Sequence, residues 1–249
     1  MLKVVYDNLK DMNKVMDLSI VVPVFNECEN IENLIDEINS SISNISAEII
    51  VVDDCSNDNT LDLLKNKKRS TKNLRVVSHE VNYGQSSAIY SGVLIANSEW
   101  IATLDGDSQN DPSDIPKLYE TIDKDEIIMV AGHRTKRKDS LLKRLSSKYA
   151  NKVRLYLLND GVPDTGCGLK IFPKKQFLKL PFFDHMHRYL PALFIATGGK
   201  VVSMPVNHRP RQMGYSKYGF NNRFWVGIVD LLGVLWLVRR TKNIKLKEI

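Results

Sequence analysis

Two carboxylates one residue apart, Asp105 and Asp107, close the apolar run Trp100-Ile101-Ala102-Thr103-Leu104. Gly106 stands between them, and Ser108-Gln109-Asn110-Asp111-Pro112 follows. A run of that kind is expected as a buried strand with both acids at its mouth. Carboxylate oxygens are hard ligands that suit Mg²⁺ or Mn²⁺, and such an ion bridges to the phosphates of a nucleotide. The intervening glycine lets the backbone approach a ligand closely. Taken alone, the triplet reads more readily as an Asp-rich turn, where Asp and Gly are common. Its company in the rest of the chain reverses that reading.

Pro23-Val24-Phe25-Asn26-Glu27 ends another apolar run. There Phe25 is able to lie against a base, and Glu27 to bond its edge or the ribose. The same residues also form a tight turn, with Glu27 at a helix N-terminus where an anion is favoured. Asp53-Asp54 ends a third run, and Ser56 or Asp58 caps the helix behind it. That leaves Asp53 or Asp54 to meet a nucleotide, or the two to divide structural and ligand roles. Gly84 in Asn82-Tyr83-Gly84-Gln85 suits a positive φ or a close approach to a ligand. Arg134 has the planar fork that clamps a phosphate, while Lys136, Arg137 and Lys138 read as a solvated loop. Asp164 to Lys170 is a Gly-rich bend that shapes the acceptor side of a pocket, with Lys170 facing an anion or water. His185 and His187 lack a third imidazole at matching spacing, so a structural or acceptor-facing role is expected. Arg211 and Lys217 flank a Gly-punctuated loop, which is either a lid over a pyrophosphate or an ordinary basic surface loop.

The elements that must position these residues alternate along the chain. Strands are expected over Leu18–Val24, Glu48–Val52, Leu74–Val77, Trp100–Leu104, Ile127–Ala131 and Val201–Val206. Helices are expected over Glu29–Ser40, from Asn57–Thr60 onward, and over Ser86–Ala96, Leu141–Leu158 and Phe224–Val238. Alternation without hairpin signals calls for a mainly parallel sheet with helices on both faces, an α/β architecture. Ligands in such sheets sit at the carboxyl ends of the strands. Three acid-bearing strand ends would then meet along one edge.

At 249 residues the chain is long enough for one large domain or one and a half, and its 43% hydrophobic and 26% charged positions are ordinary for a soluble globular protein. A formal charge of +6 fits anionic partners such as nucleotides, phospholipid surfaces or nucleic acid, without choosing among them. Cys28, Cys55 and Cys167 have no metal-ligand spacing and read as reduced thiols. Met1 to Asp17 carries charges throughout and no apolar signal region. The expected organisation is an N-terminal extension over 1–17, a catalytic domain over 18–222, and an apolar helix with a basic tail over 223–249.

From about Leu18 to Lys217 the ordered set of motifs resembles glycosyltransferase family 2, with the polyprenyl-phosphate (dolichol-phosphate) sugar transferases as the nearest subgroup. It rests on Pro23 to Glu27, Val52-Asp53-Asp54, Leu104 to Gln109, Gly132-His133-Arg134 and Arg211 to Lys217. The resemblance implies the GT-A fold and an inverting transfer from a nucleotide-diphospho-sugar, UDP- or GDP-linked, to a polyprenyl phosphate. It implies nucleotide contacts from Pro23, Phe25 and Glu27, with Phe25 where a Tyr is frequent, and a hold on base and ribose from Val52 and Asp54. Asp105 and Asp107, with Gln109, would organise Mg²⁺ or Mn²⁺ and the diphosphate. Arg134 would face the transferring sugar phosphate or the acceptor phosphate, and Arg211 and Lys217 would close over the diphosphate. Lys170 stands where relatives often carry Arg. Alternatives are a polysaccharide or soluble acceptor, or a nucleotide-binding module without catalysis. Nucleic acid is disfavoured, because converging acids repel phosphate unless a cation intervenes.

Phe224 to Val238 is shorter than the ~20 residues of a spanning helix, contains Asp230 and has cationic flanks. Trp225 and Trp236 suit a headgroup boundary. An interfacial helix is expected, with a tilted or packed helix as alternative, giving a peripheral protein at the cytoplasmic face of a membrane. A homo-oligomer or a small membrane-protein partner fits the same reading.

Overall fold

The computed structural model describes residues 16–122, 128–135, 151–210 and 220–242. A seven-stranded sheet has the order β3-β2-β1-β4-β6-β5-β7. Its strands are β1 Leu18–Val24, β2 Ala47–Asp53, β3 Leu74–Ser78, β4 Trp100–Thr103, β5 Ile128–Arg134, β6 Lys170–Pro173 and β7 Lys200–Val206. Only β6 runs against its neighbours β4 and β5; the other pairings are parallel. β1 and β2 are buried at every position, as continuous apolar runs must be when helices cover both faces.

Helices α1 Ile31–Ser41, α2 Thr60–Ser70 and α3 Gln85–Ile95 follow the first three strands. Ile31, Leu34, Ile35 and Ile38 return every three or four residues and form the buried face of α1. The sheet divides two cores. One holds Ile20, Val22, Ile49 and Val51 with α1, Leu64 of α2, and Ile115 and Leu118 of α4 Ile115–Glu120. The other holds Val21, Ile50, Val52 and Ile101 with α3 and Phe172. A helix over 151–158 (α5) adds Leu158 to that second core, α6 Lys174–Phe177 adds Phe177, and α7 Leu190–Ala196 adds Phe194. Val234 of α8 Phe220–Arg240 completes it.

β1 spans Leu18–Val24 as expected, with Pro23 inside it. Proline is normally barred from a central strand because it lacks a donor. Here the β1–β4 ladder stops at Val21↔Thr103, and Val21 C=O takes the Leu104 N–H at 3.1 Å. Pro23 is the next residue on that edge, where β4 has already turned away. The omitted hydrogen bond has no partner to lose, and the gap is where Asp105 emerges.

Short elements were missed from the sequence: β6, α6 and α7 lie in a half with no clean period. The expected 141–158 helix is seen over 151–158, and its earlier part lies outside the described residues. At the far edge of the sheet, buried Glu48 accepts from Ser19 (2.6 Å), Arg75 (2.7 Å) and the Asn97 N–H (2.6 Å), tying β1, β2, β3 and the approach to β4.

α3 lies on β1 and β2 through Gly92. A Cβ there would run into the Val21 and Val52 methyls. Gly92→Val is expected to destabilise by about 2 kcal/mol through overpacking. The check is urea unfolding, with a lower midpoint at unchanged slope.

Candidate active site

The carboxyl ends of β1, β2 and β4 lie side by side, and each turns through a non-glycine residue of positive φ: Asn26 (55°), Cys55 (61°) and Ser108 (57°). Each such residue costs of order 1–3 kcal/mol, and they gather where a site over-determines the backbone. The first two turns are laced together. Asn26 N–H donates to Ser56 Oγ (2.8 Å), Asn57 N–H to Asn26 Oδ1 (2.8 Å) and Glu27 N–H to Thr60 Oγ1 (2.9 Å). Asp58 accepts the Thr60 N–H at 2.9 Å, so it serves the start of α2 as expected. Glu27 C=O accepts from the N–H groups of Asn30 and Ile31, and its carboxylate takes Asn30 Nδ2 at 2.8 Å. Glu27 therefore braces the start of α1. Phe25, half-buried, stands at the same strand end.

Both acids that end β2 are built into the scaffold. Asp53 accepts from Ser78 Oγ at 3.0 Å. Asp54 Oδ1 accepts the Tyr83 N–H (2.9 Å) and contacts His79 Nδ1 (2.7 Å), while Oδ2 accepts the Gly84 N–H (2.7 Å). Val52 has no exposed surface, since its side chain lies in the core beneath Gly92. The expected hold of a base by the Val52 side chain is corrected: helices cover both faces of β2, and this side chain packs against α3. Pro23 is likewise buried and only frames the gap.

Gly84 (φ 89°) precedes α3 in a conformation closed to other residues. The next residue, Gln85, donates from Nε2 to Asp105 Oδ1 at 2.8 Å. Consecutive residues at the head of one helix thus hold Asp54 and Asp105, which come from different strands. Gly106 passes so close to β1 that a Cβ would press on Val24 and on the Pro23 carbonyl. Asp107 Oδ1 accepts the Gln109 N–H at 3.2 Å.

From the other side, Arg134 at the end of β5 grips Asp164 through Nε (2.6 Å) and Nη2 (2.8 Å), a bidentate pair. Lys170 opens β6 and is buried. It meets protein, not water, donating to the Cys167 carbonyl. Desolvation pushes its pKa down, against the charges of Asp105 and Asp164. A Cβ on Gly168 would overlap the Asp105 carboxylate, so a glycine is needed there. Desolvation, then repulsion from Asp107, push Asp105 up to about 6 against Lys170, Arg134 and the Gln85 hydrogen bond.

Those groups fit a divalent cation. Two hard carboxylates stand one residue apart, and one of them is destabilised by the charge of the other. Among the described residues, no three His, Cys, Asp or Glu side chains converge to hold an ion unaided. Mg²⁺ is commonly held by one or two carboxylates together with substrate phosphates and water, which this pair provides for.

The segment after β7 is fastened alongside. Asn207 N–H donates to Asp114 (2.7 Å), Asn110 bridges to His208, and Arg209 N–H donates to Gln109 C=O (2.9 Å). The Arg209 guanidinium spans Glu37 (2.5 Å) and Asp111 (2.8 Å). The chain thus heads for position 211 from beside Gln109. Arg211 and Lys217 lie outside the described residues.

The two histidines are structural. His185 Nδ1 meets Asp230 of α8 at 3.0 Å, and His187 Nδ1 meets Ser86 Oγ at 2.7 Å. Sequence reasoning missed Gln85, Ser86 and His79 as parts of the site, and it placed Asp164 in a pocket-shaping bend without its grip on Arg134. Only the position of Gln85, just after Gly84 at the head of a close-packed helix, carried a signal.

An open, largely parallel sheet with paired acids at a strand end defines an α/β protein of the nucleotide-diphospho-sugar transferase kind. The glycosyl transferase family 2 model matches residues 19–180, and the chain belongs to that family. It is 35% identical over 230 residues to a dodecaprenyl-phosphate galacturonate synthase of Rhizobium johnstonii, covering 90% of this chain and 68% of that one. Its fold is similar to glucosyl-3-phosphoglycerate synthase of Mycobacterium tuberculosis, solved with Mn²⁺, UDP and phosphoglyceric acid (TM-score 0.67, 17% identity, 95% of this chain and 83% of that one). A mannosyltransferase of Pyrobaculum calidifontis, in complex with GDP-Man and Mn²⁺, is also similar (TM-score 0.65, 17% identity, 98% and 73%). The architecture is GT-A, and the chain is a glycosyltransferase.

His187 gives the site a pH signature. Desolvation, then the charges of Arg188, Lys170 and His185, push its pKa well below the ordinary histidine value of 6.5. The unfolded chain therefore binds a proton that the folded chain refuses. This contribution to stability is complete above about pH 6.5 and is lost as pH falls towards the depressed folded value. Urea midpoints are expected to drop between pH 7.5 and 5.5, and to drop less in His187→Asn.

Proposed function

We propose that the protein transfers a sugar from a nucleotide diphosphate to a polyprenyl phosphate at a lipid surface, with inversion at the anomeric carbon. The observation that carries the reading is the head of α3, which holds Asp54 through the Tyr83 and Gly84 N–H groups and Asp105 through Gln85, with Asp107 two residues beyond. The 35% identity to a dodecaprenyl-phosphate sugar synthase supports the acceptor class.

Asp105 and Asp107, with Gln109 next to them, would hold Mg²⁺ or Mn²⁺. The ion, when bound, neutralises charge on the departing diphosphate. Gln85 and Gly168 keep Asp105 in place. Phe25 and Glu27 flank the base side of the cleft, and Asp54 orders the 79–84 turn beside it. Arg134, steadied by Asp164, offers its remaining donors to a phosphate, and Arg211 and Lys217 close over the diphosphate. An oxygen of the acceptor phosphate bonds to the anomeric carbon as the bond from that carbon to the nucleotide oxygen breaks, and the electron pair leaves with the diphosphate. A phosphate is already ionised at neutral pH, so no side chain has to act as general base.

α8 supports the lipid setting. Its inner face docks through Val234, Asp230 to His185, and the Gly227 carbonyl, which takes the Tyr189 hydroxyl at 3.3 Å. Its outer face leaves Val229 (68%), Leu232 (57%) and Trp236 (63%) exposed, one helical stripe, and Arg239, Arg240 and Lys242 are exposed at its end. Among the described residues no helix is long and apolar enough to cross a membrane. An apolar stripe with a cationic end suits an anionic bilayer surface at the cytoplasmic side.

Transfer is tested by a screen of UDP- and GDP-linked donors with Mn²⁺ or Mg²⁺ and short polyprenyl phosphates. Asp107→Ala should lower turnover by about a thousandfold with far-UV circular dichroism unchanged, and chelation should do the same to the wild type reversibly. Wild-type turnover in that variant would end the metal assignment. Leu232→Ser with Trp236→Ser should weaken binding to anionic vesicles by about tenfold or more while leaving transfer to a water-soluble acceptor intact. Equal vesicle binding would remove α8 from the lipid contact.

A further inference from the structure

The turn 184–189 is tied at two points. His185, itself at φ 63°, bonds Asp230 of α8. Two residues on, His187 bonds Ser86, whose side chain is buried in the first turn of α3. Ser86 Oγ also lies 3.4 Å from the His187 N–H, so the pair is doubly engaged. The bond joins His187 Nδ1 and the Ser86 hydroxyl, with donor and acceptor set by the imidazole tautomer.

Ser86 is flanked by the residues that hold the acids. Gln85 donates to Asp105, and the Gly84 and Tyr83 N–H groups donate to Asp54. Gly84 also faces the turn directly, since a Cβ there would sit 3.6 Å from Asp184 Oδ1. α3 is not held at this end by a side-chain cap of its own. Its first turn is fixed from outside, by a histidine 101 positions away in sequence.

We propose that His187 is a positioning residue of the donor site: through Ser86 it fixes the head of α3, and with it the Gln85–Asp105 and Gly84–Asp54 contacts. The inference rests on the donor-binding reading above and adds to it a residue that touches neither donor nor ion. Because His185 ties α8 to the same turn, the helix assigned to the lipid surface and the acids assigned to the donor share one support.

The test compares His187→Phe, which keeps a ring and removes the bonding nitrogen, with His187→Asn, which keeps a hydrogen-bonding group near Nδ1, and with Ser86→Ala. Calorimetric binding of Mn²⁺ with UDP or GDP, without turnover, should weaken in His187→Phe and Ser86→Ala on the order of tenfold, as for other groups that orient metal ligands. It should recover in His187→Asn. The double variant should be no weaker than either single one, because both break the same bond. In transfer assays the donor KM should rise and the acceptor KM should not. Amide exchange at residues 85–88 should quicken in the two damaging variants with no ligand present. Wild-type nucleotide binding in His187→Phe, additive losses in the double variant, or unchanged amide exchange would each overturn the proposal. Should wild-type protein bind neither nucleotide, the transferase reading falls, while amide exchange still decides whether His187 holds the helix.

Discussion

Asp54 and Asp105 leave different strands, and consecutive residues at the head of α3 receive them: Gly84 by its N–H, Gln85 by its amide. The cleft depends on this arrangement. Carboxylates at neighbouring strand ends repel one another in a low dielectric unless each is given donors. The start of a helix offers unsatisfied N–H groups and a positive dipole end together. α3 can take that place because Gly92 lets it lie tightly on β1 and β2, and because Ser86 is gripped by His187.

Charge in the cleft is divided accordingly. Asp53, Asp54 and Asp164 are committed to Ser78, to the 79–84 turn and to Arg134. Burial of Asp105, and after it repulsion from Asp107, push Asp105 up to about 6. On the proposed reading, a divalent ion carrying a diphosphate would relieve that repulsion. Arg134 and Lys170 temper the site from the far side without filling it.

The first half of the fold was legible because its strands are uninterrupted apolar runs and α1 has a clean 3.6 period. The strand end at Asp105 was legible for the same reason. Elsewhere local pattern misled. Val52 sits beside acids in sequence, but helices cover both faces of β2 and its side chain lies in a core. Lys170 looked as ready for water as for an anion, and it is buried next to Asp105.

Sequence alone determined that acids end several parallel strands, since residue type and hydrophobic period are local properties. It also showed that the last apolar stretch, Phe224 to Val238, is shorter than a spanning helix needs and contains Asp230. Only tertiary structure decided which acids are spent on the scaffold and which remain for a ligand. That depends on partners such as Gln85, His79, Asp164 and His187, brought in from remote positions by the crossing of helices over the sheet. Hydrogen bonds between residues a hundred or more positions apart leave no mark on local pattern, because packing, and not spacing, sets their geometry.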